Sequence, residues 1–320
     1  MAERTEAAVP AFEFAVPVRH RGLWRQAWDR LLRNRLAVFG GTVLLIVAIL
    51  AVLTAIVPEV GRYAPSAQNV REAHQGPSLE HFFGTDNLGR DMWARTWEGV
   101  RISLRIGLGT QVLVAAIGIL IGASAALGGR TVDNLIMRFV DVAYAFPDLL
   151  AIILMRAVFS ERDWPIIGSG SPQIPGLPGT LLQVILAISL VSWVTTARLV
   201  RGQMLSLKAS DFVLAARALG ASTPRIVFVH MLPNTLGPVI VVLTFGIPLA
   251  IYAEAVLALI GFGVEPPTAS LGTLVFAGYS YFRTNSWMIA VPAAAIALLM
   301  LCFTFLGDGL RDALDPRGRA

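Results

Sequence analysis

The chain has 320 residues, of which 55% are hydrophobic and only 15% are charged, and its mean hydropathy is +0.66. A soluble globule of this length cannot bury so much apolar surface, so the composition favours a membrane protein. The single cysteine, Cys302, excludes an intrachain disulfide and a cysteine-based metal site, while the net charge of +5 fits either basic membrane edges or a nucleic-acid partner.

Six apolar runs, each about 20 residues long, predict six membrane-spanning helices, because a helix rising 1.5 Å per residue needs this length to cross a hydrocarbon core about 30 Å thick. The predicted spans are 36–57, 102–128, 135–159, 181–200, 236–260 and 287–306. An even number of crossings puts both termini on one side of the membrane. We expect this to be the cytoplasmic side, because most of the Lys and Arg residues then lie inside.

Residues 1–35 are expected to form a cytoplasmic tail that leads into the first membrane anchor, 36–57. Arginines next to this anchor lie at positions 19, 21, 25, 30, 33 and 35. The apolar run is too long for a signal peptide and no small-residue cleavage site follows it, so we expect it to remain in the mature protein. Five further spans are expected to form a core, 102–307, before a cytoplasmic C-terminal tail, 308–320.

The external loop 58–101 joins the first two spans, and its second half predicts a short helix beginning at Asp86 or Asn87. Trp93 and Trp97 lie one turn apart on this helix, which is typical of a helix resting in the membrane interface. A plain connecting loop with incidental tryptophans explains the pair equally well. Further along, residues 160–180 are rich in Gly, Pro and Ser and predict an irregular outer loop.

Segment 211–234, between the fourth and fifth spans, predicts two short helices that form a knob. Ser210 or Asp211 caps the first helix, which stops at Gly220, a natural left-handed C-terminal residue. Thr223-Pro224 starts the second, with proline where its missing N–H costs nothing. Such a knob suits docking into a groove of a partner protein. The alternatives are a DNA-binding helix-turn-helix, which the flanking spans disfavour, and a structural hairpin without a partner.

The spacing of Ala215-Ala216, Gly220 and Leu232-Pro233 resembles the EAA loop of ABC importer permeases, which docks on the ATPase subunit as a coupling helix. Leu214 stands where that family has Glu and His230 where Ile is usual, so no salt bridge is assumed at the first position. The resemblance implies a coupling role for Asp211, Ala215, Ala216, Arg217, Gly220, His230, Leu232 and Pro233.

Three further segments resemble the C-type permease subunit of the dipeptide, oligopeptide and nickel importers: FGTDNLGRD at 83–91, the EA, GFG and PP elements within 254–267, and GDGLRDALDPR at 307–317. This resemblance implies an all-α type I ABC importer permease fold in a bacterial or archaeal plasma (inner) membrane. It also implies a second homologous permease subunit, two ATPase subunits that bind ATP and magnesium, and an extracytoplasmic solute-binding protein that delivers a peptide. Nickel, glutathione or another small solute is the alternative cargo.

A phosphate-binding G-x4-G-K-[ST] loop is missing around Lys208, the only lysine, so we expect no ATP hydrolysis by this chain. The energy then comes from a partner ATPase, or from an ion gradient as in a secondary transporter. A membrane scaffold without transport is a third alternative. No residue cluster predicts a catalytic or metal site, and we expect no cofactor and no nucleic-acid partner for this chain.

Charged residues inside the predicted spans are candidates for a translocation path, since charge at this depth is costly. Asp141 in the third span and Glu254 in the fifth either line a polar path or form hydrogen bonds between helices. Arg156, near the outer end of the third span, is expected to extend to the membrane interface. Pro147 predicts a kink in the third span that serves either gating or packing.

Overall fold

The computed structural model describes residues 23–161 and 179–315, so most of the predicted outer loop at 160–180 lies outside the described residues. Its helices longer than one turn are α1 (Leu23–Leu31), α2 (Arg35–Ile56), α3 (Met92–Leu127), α4 (Gly129–Tyr144), α5 (Asp148–Glu161), α6 (Gly179–Lys208), α7 (Asp211–Ala218), α8 (Thr223–Leu259), α9 (Leu271–Tyr279) and α10 (Trp287–Leu314). The all-α architecture predicted from the sequence is confirmed.

Helices α2, α3, α6, α8 and α10 are each long and apolar enough to cross a membrane, and α4 with α5 makes a sixth crossing if the pair counts as one span. The pair meets at 89°, so the span predicted over 135–159 consists of two helices joined by a sharp turn. Pro147 explains the break, because it has no N–H for the helix and disfavours helical conformation at Phe146. The kink predicted at Pro147 is confirmed as a turn near a right angle.

The centre of the fold is the close packing of α3 against α6. Gly118 and Gly122, one turn apart on α3, face α6: a Cβ atom at Gly118 would lie 2.7 Å from the Cβ of Thr196, and one at Gly122 would meet the carbonyl oxygen of Ala197. Small residues at this spacing let membrane helices approach closely and pack by van der Waals contact. These glycines therefore set the distance between the two central helices.

Helix α3 begins later than predicted and is continuous with the second span. Asp86 accepts hydrogen bonds from the N–H groups of Leu88 and Arg90, both at 2.9 Å, and so closes a turn, whereas Asp91 caps the helix by accepting from the Ala94 N–H at 2.8 Å. The predicted helix start at Asp86 or Asn87 is therefore wrong, since the carboxylate of Asp86 is used in the turn.

Trp93 and Trp97 consequently lie in the first turns of α3 rather than on a separate interfacial helix. Their ring centroids are 5.5 Å apart, and the Trp93 Nε1–H donates to the Val60 carbonyl at 3.0 Å. The Trp93 ring also meets Phe82 and Phe83. The tryptophan pair thus fastens the connection after α2 to the start of α3.

Helix α1 lies within the segment 1–35, which was expected to be a tail. A short turn separates it from α2, whose first residues are capped by Asn34: its Oδ1 accepts from the N–H groups of Leu36 and Ala37 at 3.1 and 3.2 Å. The start of α2 at Arg35 agrees with the predicted anchor, 36–57. α1 packs against the C-terminal part of α10, which brings both described ends of the chain together.

Candidate functional site

Helix α7 forms the first half of the predicted knob, and its end is a Schellman motif. The N–H of Ala221 donates to the carbonyl of Ala216 and that of Gly220 to the carbonyl of Arg217, both at 3.0 Å. Gly220 has φ +80°, a left-handed conformation that glycine adopts without strain. The prediction that the first helix stops at Gly220 is confirmed, and Asp211 is its first residue.

The buried side of α7 is locked to the neighbouring spans. Val213 is fully buried and packs in one cluster with Met204 of α6 and with Ile226 and Met231 of α8. Through this cluster α7 packs against the end of α6 and the start of α8. The short helix is therefore a rigid extension of two spans rather than a loose loop.

The other side of α7 is open and largely apolar. Phe212 is 44% exposed, and Leu219, directly after the helix and on the same side, is 89% exposed. Leu214 is 49% exposed but lies about 160° around the helix from Phe212. Asp211 and Arg217 are exposed near the two ends. Ala215 is exposed and Ala216 is half-buried. An exposed apolar ridge on a firmly seated helix is suited to insertion into a groove of another protein.

The second half of the predicted knob is not a separate short helix. α8 runs without interruption from Thr223 into the span, and Ile226–Met231 within it is π-helical, with the Leu232 N–H donating to the Val227 carbonyl. Pro233 accounts for the wider turn, because it has no N–H to give to the carbonyl four residues earlier. The predicted pair of short helices is thus corrected to one short helix beside a long one.

The coupling residues implied by the family motif consequently fall into two places. Those from 211 to 220 lie on α7 or its C-terminal turn, whereas His230, Leu232 and Pro233 lie in the first turns of α8. His230 is half-buried, and its carbonyl accepts a hydrogen bond from Asn234 Nδ2 at 2.6 Å. The residues from 211 to 220 thus form the exposed part of the segment, whereas His230, Leu232 and Pro233 lie where α8 begins.

Asp141 is paired with a basic residue of the neighbouring helix α6. Arg198 Nη2 donates to Asp141 Oδ1 at 2.7 Å, and the guanidinium lies 4.3 Å from the Tyr144 ring centroid. Asp141 is 60% exposed and Arg198 38%. Since α6 continues to Lys208, Arg198 lies about 15 Å before its end, two thirds of the way along a helix about 45 Å long.

A second ion pair joins the same two helices. Arg201 Nη2 donates to Asp133 Oδ2 at 2.6 Å, and its Nε contacts the other carboxylate oxygen. The sequence analysis missed this pair. The fourth span was predicted to end at residue 200, which left Arg198 at the edge of the span and Arg201 outside it. A signal in the sequence could have indicated both ion pairs: the helix that holds the fourth span continues past residue 200, so Arg198 and Arg201 lie within it.

Glu254 does not lie with Asp141. It is completely buried within the chain, and the Ser270 hydroxyl donates to its Oε1 at 2.5 Å. Ser270 also caps α9, where it accepts from the Thr273 N–H at 3.1 Å. One of the two alternatives for Glu254, a hydrogen bond between helical elements, is present in this structure. Glu254 fastens the start of α9 to α8.

Arg156 is buried rather than extended to the membrane interface, so that expectation is wrong. It is 2% exposed, and its Nη1 donates to Gln183 Oε1 at 2.6 Å. Its Nη2 lies 3.7 Å from Glu265 Oε1 in the connection between α8 and α9. Arg156 therefore joins α5, α6 and the α8–α9 connection at the end of the bundle opposite α7.

Two family models match the chain on either side of residues 78–117. Residues 118–320 match the family described as binding-protein-dependent transport system inner membrane component, and residues 22–77 match the N-terminal TM domain of oligopeptide transport permease C. The first match alone includes α7 and the Asp141–Arg198 pair. The first match also includes the motifs at 254–267 and 307–317, whereas the motif at 83–91 lies between the two matches.

Curated relatives resemble the chain along nearly its full length. The oligopeptide transport system permease protein of Bacillus subtilis (strain 168) is 39% identical over 297 residues, which is 93% of this chain and 90% of the relative. The dipeptide transport system permease protein of the same strain is 39% identical over 296 residues, covering 92% and 86%. A putative peptide transport system permease protein of Brucella abortus is 41% identical over 288 residues, covering 90% of each.

The fold resembles that of a solved transporter. An inward-facing structure of the MetNI methionine ABC transporter aligns with a TM-score of 0.52 at 20% identity, covering 70% of this chain and 97% of that one. The type I ABC importer permease fold predicted from the resemblance is confirmed, and the apolar helices agree with a multi-pass protein of the inner membrane. The chain therefore belongs to the family of binding-protein-dependent transport system inner membrane components.

Proposed function

We propose that this chain is the permease subunit of an ATP-driven importer of oligopeptides or dipeptides, and that α7 docks on a separate ATPase subunit. The observation that carries the proposal is the exposed apolar ridge of α7 on a helix locked to two spans. The curated relatives are oligopeptide and dipeptide permeases, which supports the choice of cargo. Two ATPase subunits bind ATP and magnesium on the cytoplasmic side, and one of them receives α7.

The coupling works through packing rather than charge. Leu214, where related permeases carry Glu, presents an exposed apolar side chain on the other flank of α7 from Phe212 and Leu219. When the ATPases close on ATP, the groove that holds this ridge moves, and Val213 passes the displacement to α6 and α8. Because the side chains beneath α7 are close-packed, little of the motion is lost within the protrusion.

The translocation path runs beside the Asp141–Arg198 pair. Charged groups within a membrane span face either a protein neighbour or water, because lipid cannot solvate them. Both side chains are partly exposed on this chain alone, so another surface or an aqueous path completes their surroundings. A second, related permease subunit encloses the path from the opposite side, and an external binding protein delivers the solute.

Capture of the ATPase by the epitope-tagged chain tests the docking. Leu219→Asp places a charge on the exposed ridge and should lower the amount of co-purified ATPase at least tenfold, since a carboxylate is costly in an apolar groove. Leu79→Asp is the matched control, because Leu79 is 90% exposed in the loop before α3 and Leu219 is 89% exposed. Equal capture by the two variants would contradict docking through α7.

A transport assay separates this function from its alternatives. Liposomes with the complete importer should take up a labelled peptide only when ATP is supplied on the ATPase side. Liposomes with the chain alone should show no uptake under an imposed proton or sodium gradient. Uptake by the chain alone would instead assign it to ion-coupled transporters.

A further inference from the structure

Helix α1 carries an apolar stripe that the rest of the chain leaves open. Trp24 and Trp28, one turn apart, are 53% and 60% exposed, and Leu32 directly after the helix is 54% exposed. At about 100° per residue, these side chains lie next to the buried side of α1, where Ala27 faces the bundle. The apolar side of α1 is therefore only half covered by protein.

The position of α1 fixes what the open stripe meets. α1 ends at Leu31, and the membrane span α2 begins at Arg35 after a short turn. Arg30 Nη1 donates to the carbonyl of Asp315 at 3.2 Å, which holds α1 at the end of α10. α1 thus lies beside the ends of two spans, at the level of a membrane surface. Tryptophan favours this level because its ring is apolar and its N–H is polar.

The charges around the stripe are basic. Arg25, Arg33 and Arg35 are exposed, and Asp29 is the acidic residue between positions 23 and 35. A helix with tryptophans on one side and arginines beside them binds an interface that contains negatively charged lipids. A protein partner would cover the tryptophans equally well, but it would have to do so next to the emerging lipid-facing span.

We propose that α1 is an interfacial helix that binds anionic phospholipid headgroups. Trp24 and Trp28 enter the boundary between headgroups and acyl chains, while Arg25 and Arg33 contact phosphates. Identification of this surface as the cytoplasmic one rests on the proposed function, whereas the lipid contact does not.

Helix α1 also lies near the ends of α6 and α8 that flank α7. A cavity of about 350 Å³ lies between α1, the end of α6, the start of α8 and the end of α10. Arg30, Gln203, Asn234 and Asp315 supply polar groups to its lining. Lipid bound to α1 thus lies next to the helix ends that carry α7.

Lipid binding by the purified full-length chain tests the proposal. Native mass spectrometry from micelles with equal dioleoylphosphatidylglycerol and dioleoylphosphatidylcholine should show preferential retention of the anionic lipid. Arg25→Gln/Arg33→Gln should reduce that retention by roughly fivefold for each arginine removed. Arg71→Gln/Arg283→Gln is the control, because it removes the same charge from exposed positions elsewhere. Unchanged retention in the first variant, or equal loss in both, would overturn the proposal.

Spin labelling locates the tryptophan stripe directly. Cys302 is the only cysteine, so Cys302→Ala gives a background for single labels at Trp28→Cys and Arg25→Cys in lipid nanodiscs. Oxygen, which concentrates in lipid, should raise the spin relaxation rate of the label at 28. A water-soluble nickel chelate should raise that of the label at 25. A label at 28 that responds mainly to the chelate, or to neither reagent, would rule out lipid contact. Neither experiment contains an ATPase, so both outcomes are independent of docking through α7.

Discussion

Arg198 of α6 contacts two residues of α4 at once: its Nη2 lies 2.7 Å from Asp141 Oδ1, and its guanidinium lies over the Tyr144 ring. Tyr144 is the last residue of α4 before the chain turns by 89° into α5. One arginine thus connects the broken crossing to the neighbouring span α6, immediately beside the break. Any rotation of α5 against α4 that accompanies transport takes place next to this contact.

Breaking the pair should reduce transport more than stability. Arg198→Gln leaves Asp141 without its ion-pair partner beside the proposed path, and we expect peptide uptake by the complete importer to fall on the order of tenfold. The cost in unfolding free energy should stay below about 1 kcal/mol, because both side chains are partly exposed. Asp141→Asn/Arg198→Gln should recover part of the uptake, since it leaves no unpaired charge. Arg138→Gln, on an exposed residue of α4, serves as control.

Two glycines near each other in sequence should respond oppositely to a methyl group. Gly220 has φ +80° in the turn after α7, whereas Gly202 lies within α6, where a Cβ atom would meet open space and the backbone imposes no such constraint. Gly220→Ala should destabilise the turn by about 1 kcal/mol and weaken ATPase capture, and Gly202→Ala should be neutral or slightly stabilising. Measurement of both variants in one capture assay compares them directly. Full capture by Gly220→Ala would show that the turn has no part in docking.

The sequence predicted the features whose signals are local. Apolar run length located α2 and α10, and the glycine at 220 located the end of α7, because each signal acts within one element. The partner of Asp141 could not be predicted, since Arg198 is 57 positions away and only helix packing brings it near. The start of α3 was missed because Asp86 and Asp91 are both good capping residues, and only the fold decides which one closes a turn.

The role of Glu254 can be tested through stability. Glu254→Ala removes the acceptor for the Ser270 hydroxyl and leaves a cavity, so the protein in detergent should lose about 2–4 kcal/mol of unfolding free energy. Glu254→Gln should lose less, because its amide oxygen still accepts the hydrogen bond. Glu59→Ala, on an exposed residue after α2, is the control. Unchanged thermal unfolding of Glu254→Ala together with altered cargo preference would instead assign Glu254 to the path.

The contact between α3 and α6 should be intolerant of a single added methyl group. A Cβ atom at Gly118 would lie 2.7 Å from the Cβ of Thr196, which is bonded to the α6 backbone and cannot rotate away. A Cβ atom at Gly41 would instead lie 3.7 Å from a terminal methyl group of Leu306. Gly118→Ala should therefore force the two central helices apart at a cost of about 1–3 kcal/mol, while Gly41→Ala should make an ordinary van der Waals contact. Thermal unfolding of the two variants in the same detergent measures the difference. Equal midpoints would mean that α3 and α6 are separated more widely than this packing requires.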